Sequence, residues 1–173
     1  IFNDACHHFD LWRYLLGAEI TQVQARAIDS QDFEDDSCVM TAQLDNGVIG
    51  SALFSFSTRP HNEVEIFGEQ GSLLIDPYRF DGVRFQPRGR LSSSLSQRAR
   101  DVARFVSSLP AGLSAIRAGG VYDACYPAMW AQFRDCVLNG EQPRCTVHDG
   151  RAALGAVRAV MRSADSGLSE AVR

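Results

Sequence analysis

His7, His8 and Asp10 crowd into one short stretch of this chain, with Asn3 and Asp4 about one turn before them, and the surrounding apolar residues recur at helical spacing. On a helix Asn3 and His7 stand four apart on one face, with Asp10 and Tyr14 on adjacent turns; Asp4 and His8 form a second such pair, rotated by one residue. A carboxylate one turn from an imidazole can orient its tautomer and raise its basicity, which general acid/base chemistry needs. Spacing alone leaves both registers open. It also leaves open a plainer arrangement, with one histidine exposed, the other in a buried hydrogen bond, and the acids favouring the helix N-terminus through its dipole. A metal centre is not indicated, because adjacent imidazoles on a helix point about 100° apart and the remaining histidines, His61 and His148, have no ligand-like spacing. Cys6 is a poor nucleophile beside His7 for the same geometric reason, and reads as a small buried thiol.

The element that must hold these groups is an amphipathic helix with Asn3 or Asp4 as its N-cap and Gly17 as its stop. Nothing in the sequence before it supplies a feeding strand or loop, so a longer parent polypeptide is expected. Glu19 to Asp29 then alternates apolar and polar residues, as a half-buried strand does. Cys38 to Leu44 and Val48 to Ser57 are two more alternating runs, joined by Asp45-Asn46-Gly47, where Asn-Gly supplies the positive φ angles of a tight hairpin. Glu63 to Phe67 and Ser72 to Ile75 flank Gly68-Glu69-Gln70-Gly71, a hairpin rather than a phosphate cradle because no helix follows it, and Val83 to Phe85 adds a short strand. Helical spacing resumes over Leu91 to Leu109, Pro110 to Gly120 reads as a mobile loop, and Tyr122, Tyr126, Met129, Trp130, Phe133 and Val137 mark the apolar face of a further helix ending at Asn139-Gly140. That stripe is expected in the core, with Tyr122 kept as a possible substrate contact. The last helix opens on a Thr146/Asp149 capping box and runs through Leu154, Val157, Met161 and Ala164 to Gly167.

Helix, about six mostly antiparallel strands, then helices is an α+β order: helices cover one face of an open sheet and leave the other to a partner. Sheet-to-sheet assembly into a dimer or tetramer is therefore expected. The 173 residues, 45% of them hydrophobic, fit one domain spanning residues 1–173. A net charge of −4 with scattered arginines gives no nucleic-acid footprint, and no apolar run is long enough for a membrane span, so a cytoplasmic protein is expected. All 17 basic residues are arginine. Without lysine the chain cannot build a Walker A loop, a Schiff-base nucleophile or a lysine general acid. Five cysteines without a CxxC pair are expected to be reduced.

Asn3-Asp-Ala-Cys-His7-His-Phe-Asp10-Leu-Trp-Arg-Tyr-Leu-Leu-Gly17 resembles the start of the second domain of the Gfo/Idh/MocA sugar oxidoreductases. Asp45 to Ser51, Asn62 to Gly68, Gly71 to Asp76, Tyr126 to Asp135 and Cys145 to Leu154 follow in the family's order, so the resemblance covers nearly the whole chain. It implies a two-domain enzyme using NAD or NADP, with a dinucleotide-binding domain absent from this chain and the present domain supplying substrate contacts and the oligomer interface. By that resemblance His7, followed by Asp10 three residues later, lies near the reacting carbon of a sugar, cyclitol or related polyol, with Asn3, Asp4, His8 and Asp10 as substrate contacts. Asn3 stands where the family commonly has Asp. The family's catalytic lysine belongs to the nucleotide-binding domain, in keeping with a chain that has no lysine and no Gly-x-Gly-x-x-Gly turn. The resemblance also implies that these residues alone are inactive and bind no nucleotide. Two other readings stay open: a non-catalytic assembly domain and a free-standing sugar-binding module.

Overall fold

The computed structural model describes residues 2–32, 34–58, 61–79, 81–89, 95–117 and 125–173, with the backbone alone for residues 2–4, 115 and 116. In chain order the elements are α1 (Phe2–Leu16), β1 (Ile20–Ile28), β2 (Ser37–Leu44), β3 (Ile49–Ser55), β4 (Val64–Gly68), β5 (Gly71–Ile75), β6 (Val83–Pro87), α2 (Leu95–Arg117), α3 (Cys125–Asn139), α4 (Val147–Ser166) and β7 (Glu170–Ala171). The α+β order is as expected, and every described strand pair is antiparallel. The strands stand in two sheets, in the orders β3-β2-β1-β7 and β4-β5-β6. The chain divides accordingly into two compact units, Ile1–Pro60 with Arg144–Arg173, and His61–Pro143.

In the first unit β2 alternates strictly, and β1 does so after an irregularity between Ile20 and Gln22. Cys38, Met40, Ala42 and Leu44 of β2 are buried beside Ile20, Val23 and Ala25 of β1, while Val39, Thr41 and Gln43 point the other way into solvent. α1 lays Ala5, Phe9 and Trp12 on this face, and α4 adds Ala153, Ala156, Val157, Ala159 and Val160. Gly50 of β3 makes room for Trp12: a Cβ there would stand 2.6 Å from the indole ring. Leu154 and Met161 of α4 are exposed, while the small residues Ala153, Ala156 and Ala159 are buried and let that helix approach β1 closely.

Two ends of α4 behave as the sequence requires. Thr146 N–H donates to Asp149 Oδ2 at 2.8 Å, closing the capping box, and Gly167 at φ 72° donates to Ser163 O at 2.8 Å. Ser163 itself is fully buried; its Oγ accepts from Ala25 N–H at 2.9 Å and donates to Leu168 O at 2.5 Å. It thus serves the β1 backbone just beyond the short ladder to β7, which pairs only at Gln22 and Val23.

Several expectations are corrected. α1 begins at Phe2, so Asn3 and Asp4 lie in its first turn rather than at its cap. In the β2–β3 turn only Gly47 has a positive φ, +84°, with Gly47 N–H bonded to Leu44 O and Leu44 N–H to Val48 O. The connection is a three-residue loop, Asp45-Asn46-Gly47, with the expected bounds, and it ends in a single left-handed glycine. In the second unit α2 continues through Pro110 to Arg117, where a mobile loop was expected. Ser107 and Ser108 in the preceding turn donate their hydroxyls to Arg104 O and Phe105 O, both at 2.8 Å, and Ala111, Leu113 and Ala115 keep helical propensity high. The α3 stripe is not core: Tyr126, Met129, Trp130 (62% exposed), Phe133 and Val137 all meet solvent. Amphipathic spacing marks an apolar face without saying what covers it. Tyr122 lies outside the described residues.

Candidate functional site

α1 has its core face at Ala5, Phe9 and Trp12, which turns positions 7, 10 and 14 to the opposite side. His7 is exposed there, and Tyr14, 72% exposed, stands two turns along. His8 is half-buried on another side of the helix, its ring 5.2 Å from that of Phe54 on β3. The two histidines therefore occupy different surroundings, as their adjacency requires, and His7 is the one turned to solvent. Position 3 precedes His7 by one turn; the side chains of Asn3 and Asp4 lie outside the described ones. Asp10 is half-buried and turns to Arg13 instead of His7, with Oδ1 at 3.3 Å from Nη1.

Arg13 is the hub of this end of the unit, and sequence reasoning missed it. Its side chain is only 9% exposed, and all five of its N–H groups find acceptors. Nε and Nη2 reach the two carboxylate oxygens of Glu19, both at 2.6 Å; Nη2 also meets Asp149 Oδ1 at 3.3 Å; and Nη1 meets Asp10 Oδ1 at 3.3 Å and Asp149 O at 3.4 Å. The fork-to-fork pair with Glu19 is the strong geometry for these groups. Each partner's charge is favoured: the hydrogen bond to Glu19 raises the Arg13 pKa, and the same bond lowers that of Glu19. Asp149 is held down at about 2, first by the Thr146 hydroxyl, then by the Thr146 backbone, with Arg13 adding to the effect. The i, i+3 step from Asp10 to Arg13 was readable locally, whereas the approach of Asp149, far along the chain, was not.

Around this hub lies an open cleft of about 470 Å³ lined by Asp10, Arg13, Tyr14, Glu19, Arg144 and Asp149, among others. Cys145 stands at its edge, its thiol pKa raised by burial and then by Asp10 and Asp149, so it is not an activated nucleophile. None of the five cysteines forms a disulfide. Among the described residues no group of His, Cys, Asp and Glu is arranged to hold a metal, and no helix is long and apolar enough to cross a membrane. His61 and His148 are exposed, as expected. The parallel crossover with a glycine-rich turn that cradles a dinucleotide is not formed among the described residues, whose strands pair only antiparallel.

Fold and site together define a class. Residues 1–74 match the model of the GFO/IDH/MocA C-terminal domain, the segment holding α1, its histidines and the strands under it. The family resemblance is thereby borne out over residues 1–74. Among relatives, the uncharacterized oxidoreductase YrbE of Bacillus subtilis (strain 168) is 32% identical over 92 residues, covering 46% of this chain and 26% of its own length. The fold is that of the WlbA dehydrogenase from Bordetella pertussis, solved in complex with NADH and UDP-GlcNAcA, with a TM-score of 0.70 at 17% identity over 98% of this chain and 46% of that one. Myo-inositol 2-dehydrogenase from Lactobacillus plantarum gives a TM-score of 0.62 at 22% identity over 100% of this chain and 48% of that one. The chain thus spans about a quarter of the curated relative and about half of these solved dehydrogenases.

Proposed function

We propose that this chain is the substrate-binding and assembly domain of an oxidoreductase that acts on a secondary alcohol of a sugar, cyclitol or related polyol. The observation that carries it is the family match over residues 1–74, which takes in His7 and Asp10, together with the solvent-facing position of His7 on α1. The redox chemistry would come from NAD or NADP on a nucleotide-binding domain of the whole protein; WlbA dehydrogenase, of like fold, is solved with NADH and a UDP-sugar, and another dehydrogenase of like fold acts on myo-inositol. The share of this chain is position and proton. His7 accepts the proton of the reacting hydroxyl or holds its oxygen, Asp10 accepts a hydrogen bond from a second hydroxyl, and Asn3 and Asp4 supply further contacts to the same substrate. Residues 1–173 are inactive by themselves, because the hydride acceptor has no cradle among the described residues.

The uncovered face of the first sheet, with Val39, Ile49 and Leu53 exposed, is the surface on which copies of the domain associate as a dimer or tetramer. It also favours a second reading, an assembly domain without catalysis. The test is the full-length polypeptide. A glycine-rich strand-to-helix turn upstream of Ile1, and nucleotide reduction with at least one of a panel of polyols, support the enzyme. A reading frame starting at Ile1, or full-length protein inert across the panel, leaves only the assembly reading.

A further inference from the structure

We infer that Arg13 is a positioning residue for substrate binding, clamping Asp10 so that one carboxylate oxygen is spent inside the protein and the other is presented beside His7 as a hydroxyl acceptor. This rests on the proposed role of the His7 face. Asp10 Oδ1 is engaged by Arg13 Nη1 at 3.3 Å, while among the described residues no donor reaches Oδ2, and the side chain is 40% exposed on the face that carries His7. The clamp is rigid for a stated reason. Arg13 has no N–H left over: Glu19 at the foot of β1 takes two, Asp149 in the first turn of α4 takes two, and Asp10 receives the fifth. A guanidinium held by two other elements cannot swing to follow Asp10, so Asp10 is held to it. The planar fork is essential, since a lysine offers three donors from one point and cannot span the three carboxylates in this arrangement. Nor is Arg13 free to bind an anion itself, so it acts on the ligand through Asp10.

The experiment uses the full-length enzyme and the best substrate of a panel of myo-inositol, glucose and glycerol, comparing Arg13→Lys, Asp10→Asn and the double variant. A lost hydrogen bond to a charged acceptor costs about tenfold in affinity or more. Each single variant is expected to raise KM by about that factor with kcat nearly unchanged, and the double variant to be no worse than Asp10→Asn alone. Loss of folded protein would lower the apparent kcat and leave KM in place, so the split separates positioning from stability. Asp10→Asn leaves Arg13 bound to Glu19 and Asp149 and stays readable should Arg13→Lys fail to fold. An unchanged KM in Asp10→Asn, or KM increases that multiply in the double variant, overturns the inference while wild-type turnover and its loss in His7→Ala uphold the proposed function. A wild-type enzyme that neither binds nor oxidises any member of the panel overturns both.

Discussion

Asp149 does two jobs with one carboxylate: Oδ2 closes the cap of α4 and Oδ1 meets Arg13. Both depend on its charge, and its pKa is held at about 2, below the ordinary 3.8. A carboxylate lowered on folding stabilises the native state fully above its unfolded value, and that contribution fades as pH falls through the folded value. Urea unfolding is therefore expected to show stability dropping from about pH 4 towards pH 2, with a shallower drop in Asp149→Asn; equal slopes in the two proteins would rule this linkage out. The sequence signalled half of the arrangement. Thr146 and Asp149 form a local pattern typical of helix caps, but Asp149 meeting Arg13 is a tertiary event with no periodicity to announce it. The histidine pair was legible in the same limited way: adjacency says that His7 and His8 face different surroundings, and only the packing of Phe9 and Trp12 says which one meets solvent.

At the scale of elements, the strands were readable because burial on one face leaves a period of two, as in Cys38, Met40, Ala42 and Leu44. What misled was chemistry with two outcomes. Asn46-Gly47 suggested positive φ angles at both residues, whereas the three-residue loop needs one left-handed position, which Gly47 fills. Pro110 ordinarily stops a helix, yet α2 passes through it. Ser163 could not be singled out, since a serine within a helix looks like a surface residue until its hydroxyl is found between Ala25 N–H and Leu168 O. Ser163→Ala would strand the buried Ala25 N–H and remove the donor to Leu168 O, and is expected to cost about 1–3 kcal/mol by chemical denaturation. A loss below the error of that measurement would mean that water or a shifted backbone replaces the hydroxyl.

For the whole molecule, apolar residues left in solvent matter more than the buried ones. The sheet face with Val39, Ile49 and Leu53 continues in a strand order that leaves β3 as an edge, so a second copy could extend or cover the sheet. Leu53→Glu on that face is expected to reduce the full-length protein to a smaller assembly by light scattering while leaving α1 and its histidines folded. A variant with unchanged mass would move the interface elsewhere. The α3 stripe shows the limit of sequence patterning at this scale: Tyr126, Trp130 and Phe133 promise burial, and the described chain leaves them uncovered.

The proposed function gives the solvent-facing imidazole on α1 a proton-transfer role in a larger enzyme. The most direct test of that role is steady-state turnover of the full-length protein with His7→Ala against wild type, at equal folded concentration judged by circular dichroism. If His7 takes the hydroxyl proton, kcat is expected to fall by at least about a hundredfold, the usual share of a general base. A folded His7→Ala enzyme with wild-type kcat and KM would contradict the account and return this domain to an assembly role.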